Sequence, residues 1–172
     1  PMLAYPVSKK PIDYSKPVFI QPKLDGVRCL IQYDNGVVTA YSRTGKEWKN
    51  IEHILNNLYK FFNLNPNVML DGELYNHDFK DDFEEIISMV RKTKPTHEDR
   101  QKSLMNVEFH CYDIVNRRMK YSTRYMKILQ KLPESYCVKH VITSRVDNDK
   151  QAGTMHKANL NNGYEGSIVR LD

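Results

Sequence analysis

The chain has 172 residues, of which 40% are hydrophobic and 27% are charged. This composition is typical of one folded globular domain and excludes a disordered tail. No apolar stretch approaches the roughly 20 residues that a membrane-spanning helix needs, so we expect no membrane partner. The three cysteines are scattered without the paired spacing of a zinc site, which indicates reduced thiols and a cytoplasmic location. A net charge of +5 permits a nucleic-acid partner but does not by itself establish one.

The first half of the chain is predicted to form strands, a hairpin and one helix. The first 17 residues are rich in proline and lysine and indicate an irregular lead-in. Runs of β-branched and aromatic residues then predict strands at 18–23, 27–33 and 37–42. An Asp-Asn-Gly sequence at 34–36 predicts a tight hairpin turn, because Asn and Gly tolerate positive φ angles. A helix follows, with Asn50 placed as its N-cap. Its apolar face consists of Ile51, Ile54, Leu55 and Leu58.

The second half mixes strands and helices without a regular alternation. After a strand at 68–75, a second helix is indicated by Phe83, Ile86, Ile87 and Val90. The segment from Arg91 to Ser103 is charged and contains a proline, so it is predicted to be a mobile surface loop. Strands are predicted at 107–115, 136–143 and 164–172, and helices around 125–132 and 151–161. Hairpins beside helices predict an α+β domain built on antiparallel sheets flanked by helices.

The sequence KLDGVR, residues 23–28, is the first candidate for chemistry. It places Lys23 at a strand end, followed by an Asp25-Gly26 turn and by Arg28. Four fixed positions of this kind coincide by chance at roughly one in 10⁵ starting points, given average residue frequencies. We predict that Lys23 is a nucleophile that takes a nucleotide onto its side-chain nitrogen. A structural alternative stays open, in which Lys23 and Arg28 are solvated and Asp25-Gly26 only shapes a turn.

Two further clusters combine carboxylates with glycine inside predicted strands. LDGELY holds Gly72 and Glu73, and YEGSIVR holds Glu165 and Gly166, although both residue types are disfavoured in strands. Such departures from local propensity are expected where a ligand approaches the backbone. A buried glutamate without a partner is costly, so Glu73 and Glu165 are predicted to bind a divalent metal ion. SRTG adds Arg43 at a strand exit, where a guanidinium can contact a phosphate or a ribose.

Five short motifs occur in order along the chain. They are K-x-D-G-x-R, S-R-T-G, D-G-E, an aromatic-aspartate pair at Tyr112-Asp113, and E-G-x-x-x-R. In this order they resemble the nucleotidyltransferase motifs of ATP-dependent DNA ligases, and they are most similar to those of the small viral and phage enzymes. The resemblance covers the chain from Gln21 to Arg170. It implies a covalent nucleotidyltransferase, ATP-grasp-like fold, with ATP held between two antiparallel sheets.

The resemblance also implies a role for each matching residue. Lys23 would attack the α-phosphorus of ATP, giving a lysyl-AMP phosphoramidate and pyrophosphate. Glu73 would hold a ribose hydroxyl, a Mg²⁺ ion or both, and Glu165 would bind the catalytic Mg²⁺. Tyr112 would stack on adenine, Gln21 would lie near the adenine edge, and the arginines would contact the ribose, the phosphates or the nicked strand. The residues expected to bind ATP are Gln21, Pro22, Lys23, Arg28, Arg43, Glu73, Tyr112, Glu165 and Arg170.

Elementary chemistry supports these roles but leaves some of them open. A lysine side chain is mostly protonated near neutral pH, and arginine charge, a bound Mg²⁺ and partial desolvation all favour the reactive neutral amine. The same charges neutralise the phosphoryl group during transfer. Asp25 either orients a metal-bound water or shapes the loop. Tyr112 is either a platform for a base or core packing, and Arg170 is either a phosphate contact or a solvated strand end.

The chain departs from the family pattern after the E-G motif. Family members carry a strand with two lysines, K-x-K, and then an OB-fold domain that closes over ATP and grips DNA. The sequence ends at Asp172, before both. We therefore expect residues 1–172 to be an adenylation domain that is incomplete at its C-terminus and self-adenylates poorly. The intact parent is expected to be a monomeric ligase of nicked double-stranded DNA, in the cytoplasm of a host cell or at a viral replication site.

Three other functions fit part of the pattern. An mRNA-capping guanylyltransferase shares K-x-D-G and D-G-E, but those enzymes usually have aspartate where this chain has Glu165. An RNA ligase is disfavoured by the D-G-x-R form of the first motif. A non-catalytic nucleic-acid-binding module would use the basic surface alone, which leaves Lys23 and the acidic clusters unexplained.

Overall fold

The computed structural model describes residues 6–172, and the first five residues of the predicted lead-in lie outside the described residues. Within this part of the chain, eight strands form two sheets, and five α-helices pack against them. Residues 6–17 confirm the irregular lead-in, apart from one 3₁₀ turn at Val7–Lys9. The predicted α+β architecture is thus confirmed.

The smaller sheet has three antiparallel strands in the order β7-β1-β8. These strands are β1 (Val18–Lys23), β7 (Ser144–Val146) and β8 (Gly166–Leu171). The central strand ends at Lys23, directly opposite Gly166. Because Glu165 immediately precedes β8, this register brings the K-x-D-G and E-G motifs side by side.

The larger sheet has five strands in the order β3-β2-β4-β5-β6. They are β2 (Val27–Asp34), β3 (Val37–Tyr41), β4 (Met69–Tyr75), β5 (Glu108–Ile114) and β6 (Val138–His140). The pair β5–β6 is parallel and the other pairs are antiparallel, so the predicted antiparallel sheet is confirmed with one parallel pair at its edge. The hairpin between β2 and β3 is confirmed, with φ of 48° at Asn35 and 87° at Gly36.

The main core lies between the larger sheet and the helices. The helices are α1 (Glu52–Leu64), α2 (Phe83–Val90), α3 (His97–Asn106), α4 (Tyr121–Lys131) and α5 (Asp149–Asn161). Helix α1 contributes Ile54, Leu58 and Phe62, one turn apart and almost completely buried. Full burial of one such side chain contributes about 1.5–3 kcal/mol. The helical periodicity of the sequence therefore marks a face that anchors α1 on the sheet.

The predicted N-cap of α1 is wrong, because Asn50 serves a different contact. The helix begins after Ile51, which makes no side-chain cap bond. The buried amide of Asn50 instead donates to the backbone carbonyls of Met89 at 2.9 Å and Asp99 at 3.1 Å. Asn50 therefore joins the start of α1 to the end of α2 and to α3.

The predicted loop from Arg91 to Ser103 is wrong in its second half, which belongs to α3. This helix has little apolar periodicity, so the hydrophobic pattern did not reveal it. A capping box starts it: the Thr96 hydroxyl accepts from the backbone N–H of Asp99, and the Asp99 carboxylate accepts from the N–H of Thr96. The sequence signal for α3 was this Thr96–Asp99 spacing.

The region after α4 also differs from its prediction. The strand predicted at 136–143 is restricted to β6, three residues long. The next strand, β7, was not predicted, because three residues are too short to show a periodicity. Both short strands are stabilised by partners far away in the sequence, β5 for β6 and β1 for β7. The remaining predicted strands and helices are confirmed within a few residues.

None of the helices in residues 6–172 is long and apolar enough to cross a membrane.

A β-bulge interrupts the pairing of β4 with β5. Asp71 lies opposite Asp113, whereas Gly72 lies opposite Cys111, so Tyr112 is an extra residue on β5. Gly72 is tightly enclosed at this point: a Cβ there would lie 2.5 Å from the carbonyl oxygen of His110 and 2.6 Å from the Phe109 ring. The D-G-E glycine is therefore required by close packing of two strands.

We predict that Gly72→Ala lowers the free energy of unfolding by about 1–3 kcal/mol, because a new methyl group must displace backbone and a buried ring. Gly153→Ala is the matched control: no described atom lies within 4 Å of a Cβ at this helical position, and alanine favours a helix by roughly 1 kcal/mol. Denaturant unfolding of both variants measures the difference. Equal stability of Gly72→Ala and the unaltered chain would contradict the close approach.

Candidate active site

A cleft of about 1040 Å³ opens between the two sheets. It is lined by β1 and β8 from the smaller sheet and by β2, β4 and β5 from the larger one. All nine residues predicted to bind ATP, from Gln21 to Arg170, line this cleft. The structure therefore brings together five motifs that are spread over most of the sequence.

Lys23 and Glu165 form an ion pair at the cleft, between Nζ and Oε1. The backbone N–H of Glu165 also donates to the carbonyl of Lys23 at 3.2 Å, which extends the β1–β8 ladder by one bond. The two side chains are 42% and 47% exposed, respectively. The expectation that Glu165 is a buried acid without a partner is therefore wrong. An exposed pair of this kind is weak, so substrate can reach the Lys23 nitrogen.

The glycine of K-x-D-G lies against β4. A Cβ on Gly26 would lie 2.6 Å from Cγ of Glu73 and 2.6 Å from the carbonyl oxygen of Leu74. The loop after Lys23 can therefore approach β4 closely only because residue 26 has no side chain. Asp25 is exposed in the same loop and lines the cleft, and both of its predicted roles remain predictions.

Arg28 and Glu73 lie opposite each other on β2 and β4. Arg28 binds the buried carboxylate of Asp71 with two N–H groups, at 3.0 Å from Nε and 2.5 Å from Nη2. Burial raises the pKa of Glu73 to about 8, against the opposing influence of the Arg28 charge and a hydrogen bond from Tyr112. That bond runs from the Tyr112 hydroxyl to Oε2 of Glu73, at 3.4 Å. Glu73 is thus the acid in the cleft that burial leaves in need of a cation.

Arg170 covers the ring of Tyr112. Its guanidinium lies 5.0 Å from the ring centroid, a cation–π contact. Its Nε donates to Oε1 of Gln21 at 3.1 Å, and its Nη1 lies 3.6 Å from Oδ2 of Asp113. Arg170 is therefore fixed in the cleft wall and is not a solvated strand end.

Gln21 belongs to a buried polar network behind Tyr112. Its amide nitrogen lies 2.8 Å from the hydroxyls of Tyr121 and Thr143 and 3.3 Å from the carbonyl of Tyr112. Only 1% of the residue is exposed. The predicted place of Gln21 near an adenine edge stays a prediction, and its observed contacts hold Tyr112 and Arg170 in place.

Arg124 is a cleft residue that sequence reasoning missed. It lies in α4, and its Nε and Nη2 donate to the two oxygens of Asp113 at 2.6 and 3.0 Å. The signal was its spacing, three residues after Tyr121 and four before Ile128, which places a cation on the buried face of an amphipathic helix. Arg91 was also missed, because the end of α2 that brings it to the cleft was taken as the start of a loop.

The S-R-T-G motif forms a tight turn after β3. The N–H of Gly45 donates to the carbonyl of Ser42 at 3.0 Å, and Gly45 has a φ of 84° that favours glycine. The turn holds the exposed Arg43 at the edge of the cleft.

The cleft carries an excess of positive charge, which suits a polyphosphate. Its acidic lining residues are Asp25, Glu73 and Glu165. Its basic lining residues are Lys10, Lys23, Arg28, Arg43, Arg91, Arg124 and Arg170. No group of three metal-ligating side chains occurs among residues 6–172. Glu73 and Glu165 would therefore hold a metal ion only together with oxygen atoms of a bound nucleotide or water.

Comparison with known proteins gives the same answer as the motifs. A family described as "ATP dependent DNA ligase domain" matches residues 1–171. A DNA ligase of African swine fever virus (isolate Tick/South Africa/Pretoriuskop Pr4/1996) is 28% identical over 164 residues, covering 88% of this chain and 36% of the viral enzyme. The chain thus spans little more than a third of the length of this relative.

Two solved structures are similar in fold. The protein named Pmar-Lig_Pre gives a TM-score of 0.74 at 22% identity, covering 97% of this chain and 41% of that chain. The ATP-dependent DNA ligase of bacteriophage T7 in complex with ATP gives a TM-score of 0.65 at 18% identity, covering 97% of this chain and 61% of the T7 chain. At these identities the comparison shows the fold alone. The family match over residues 1–171 shows that the chain belongs to the ATP-dependent DNA ligase domain family.

Proposed function

We propose that this chain is the adenylation domain of an ATP-dependent DNA ligase and that Lys23 is its nucleophile. One observation carries the proposal: Lys23 lines a basic cleft, and the same cleft is lined by all the other motif residues that were predicted to bind ATP. The family match supports the same reaction class.

The proposed first step transfers AMP from ATP to Lys23. The neutral amine attacks the α-phosphorus, a P–N bond forms, and the bond to the oxygen that bridges the α- and β-phosphates breaks, so pyrophosphate leaves. The proton released from Nζ has an acceptor in the carboxylate of Glu165, which already contacts Nζ. The product is a lysyl-AMP phosphoramidate.

The proposed second step uses nicked double-stranded DNA. An oxygen of the 5′-phosphate at the nick attacks the same phosphorus, the P–N bond breaks, and the nitrogen takes a proton back from Glu165, which restores the Lys23 amine. The 3′-hydroxyl then displaces AMP and seals the strand. Since the chain spans little more than a third of the viral relative, we assign these later steps to a longer, monomeric cytoplasmic protein that contains it.

The other residues of the cleft bind the nucleotide and stabilise charge. Arg28 and Arg43 line the cleft, and we assign to them contacts with the ribose, the phosphates or the nicked strand. Tyr112 offers adenine a ring whose orientation is fixed by Glu73 and Arg170. Arg170 already covers this ring, so adenine would share the ring with the guanidinium.

The acidic residues fit a Mg²⁺ ion in their donor chemistry. Mg²⁺ in phosphoryl-transfer sites is commonly held by one or two carboxylates together with substrate phosphate oxygens. Glu73 and Glu165 would provide the two carboxylates, and burial, which raises the pKa of Glu73 to about 8, favours a cation beside its ionised form. When bound, the ion would neutralise charge on the transferring phosphoryl group.

The capping guanylyltransferase and RNA ligase alternatives are not favoured. The family match is to DNA ligase domains, and the residue that contacts Lys23 is a glutamate, Glu165, where capping enzymes usually have aspartate. A non-catalytic module would not require a lysine at the mouth of a motif-lined cleft.

We predict that the protein becomes covalently labelled by ATP labelled in its α-phosphate, in the presence of Mg²⁺, and that Lys23→Ala and Lys23→Arg both abolish the label. Lys23→Arg keeps a cation for Glu165 but has no amine that can attack. Denaturing gels measure the label. We compare the 172-residue chain with the longer protein and expect a slower rate in the shorter one.

Lys139→Ala is the control, because Lys139 is a half-buried strand lysine of β6 outside the cleft lining. The Lys139→Ala variant should be labelled by ATP at the same rate as the unaltered protein. Label from GTP would support the capping alternative. The absence of label from the longer protein with either nucleotide would exclude the proposed function.

We predict a pH-dependent stability that is traceable to Glu73. Its pKa is raised from an ordinary 4.5 to about 8, because the folded protein favours the protonated carboxyl group. This contribution to the free energy of unfolding is fully present below pH 4.5, and it is lost as the pH rises through about 8. The melting temperature should therefore fall between pH 4.5 and 8 more steeply in the unaltered chain than in Glu73→Gln. Glu84→Gln, on an exposed position of α2, should follow the unaltered chain. Parallel curves for all three proteins would contradict this assignment.

A further inference from the structure

The turn that leads into the E-G motif is held by a residue that belongs to none of the five motifs. This turn, Asn162–Gly163–Tyr164, connects α5 to β8 and immediately precedes Glu165. His77 lies against it from the 3₁₀ turn His77–Phe79, which follows β4. The contact therefore joins the larger sheet to the segment that carries the partner of Lys23.

His77 is engaged on both ring nitrogens. The carbonyl of Asn162 can only accept, so Nε2 donates to it at 3.0 Å, and in the neutral ring Nδ1 then accepts from the hydroxyl of Tyr75 at 2.6 Å. The imidazole also packs on the ring of Tyr164, with centroids 4.7 Å apart. The carbonyl of Asn162 lies at the C-terminal end of α5, where backbone carbonyls have no partner inside the helix. His77 thus caps a helix of the other half of the cleft.

The residues on either side of His77 are held by packing and hydrogen bonds to buried elements. Tyr75 is 2% exposed and packs edge-on against His110, with ring centroids 5.2 Å apart. Asn76 precedes the 3₁₀ turn, and its amide donates to the carbonyl of Asn106 at the end of α3, at 2.9 Å. Phe79 packs against the main core. Because these groups are fixed by buried elements, His77 can act as a rigid support.

The turn itself fits this support closely. Gly163 has a φ of 83°, and a Cβ there would lie 2.7 Å from the stem of Lys80. The N–H of Gly163 donates to the carbonyl of Leu160, and that of Tyr164 donates to the carbonyl of Asn159. The turn is therefore bonded to the end of α5 on one side and to the His77 region on the other.

We propose that His77 is a positioning residue for lysine adenylation, which fixes the Asn162–Tyr164 turn and thereby holds Glu165 at Lys23. The proposal rests on the function proposed above. His77 itself is not among the residues that line the cleft, so it acts through the turn and not on the nucleotide. Glu165 must keep its place beside Lys23 while the Lys23 nitrogen attacks the nucleotide and releases its proton to the Glu165 carboxylate. The fixed turn provides that place.

The test compares three variants of the longest natural form of the protein for the rate of lysyl-AMP formation over a range of ATP concentrations. His77→Phe keeps a ring against Tyr164 but removes both hydrogen bonds. It should lower the maximal rate by about tenfold to a hundredfold, the range expected when a reacting group loses its geometry, and change the half-saturating ATP concentration less than about threefold. His77→Gln keeps a donor for Asn162 and should recover most of the rate.

His53→Phe is the matched control. His53 is also half-buried and also bonds a backbone carbonyl through Nε2, that of Val107 at 2.9 Å, but it lies outside the cleft lining. It should lower the melting temperature to a similar extent as His77→Phe while it leaves the adenylation rate unchanged.

Three outcomes would overturn the proposal: an unchanged rate in His77→Phe, an equal loss of rate in His53→Phe, or no recovery in His77→Gln. If the unaltered protein forms no lysyl-AMP, the proposed function fails and this proposal fails with it. If the unaltered protein is labelled and His77→Phe matches it, only the role of His77 is excluded.

Discussion

The pairing of the buried carboxylate of Asp113 is the interaction on which the rest of the cleft depends. Asp113 is fully buried, and removing one partner from a buried charge pair typically costs about 3–5 kcal/mol. It accepts two N–H groups from Arg124 and the backbone N–H of Ile114, and it lies 3.6 Å from Arg170. Asp113 belongs to the larger sheet, Arg124 to a helix and Arg170 to the smaller sheet. The contacts that neutralise the Asp113 carboxylate therefore also fix the position of one sheet relative to the other.

The β-bulge explains how two neighbouring residues of one strand both reach Arg170. In a regular strand, successive side chains point to opposite faces of the sheet. The extra residue on β5 lets Tyr112 place its ring under the guanidinium while Asp113 approaches the same group with its carboxylate. The close packing at Gly72, opposite the bulge, leaves no room for any side chain. The aromatic-aspartate motif and the D-G-E motif thus form the two sides of the same β-bulge, with the extra residue on β5 and the closely packed glycine on β4.

Sequence reasoning predicted the elements whose signal is local and missed those whose stability comes from distant partners. The hairpin at Asn35-Gly36 and the face of α1 that contains Ile54 and Leu58 are local patterns, and both are confirmed. Strand β7 exists because it pairs with β1, more than a hundred residues earlier, and Asn50 bonds carbonyls of two later helices. The nine residues that the motifs predicted to bind ATP all line the cleft, although the motifs did not predict their partners. Arg124 and His77 belong to no motif: the helical spacing of Arg124 was its only sequence signal, and the contacts of His77 are seen only in the folded arrangement.

Burial divides the ion pairs of the cleft into buried pairs, which hold its walls, and one partly exposed pair, Lys23–Glu165. The pairs Arg28–Asp71 and Arg124–Asp113 are largely buried. Breaking either pair would leave a buried charge without compensation, which is energetically costly. The pair Lys23–Glu165 is nearly half exposed on both sides, and exposed pairs contribute only about 0–1 kcal/mol. A nucleotide can therefore reach Lys23 and alter the Lys23–Glu165 contact at little cost, whereas it cannot separate the pairs that hold the walls. Because this exposed pair is too weak to fix the positions of its two side chains, the backbone around it must do so. The β1–β8 ladder performs this task for Lys23, and the contact of His77 with the preceding turn performs it for Glu165.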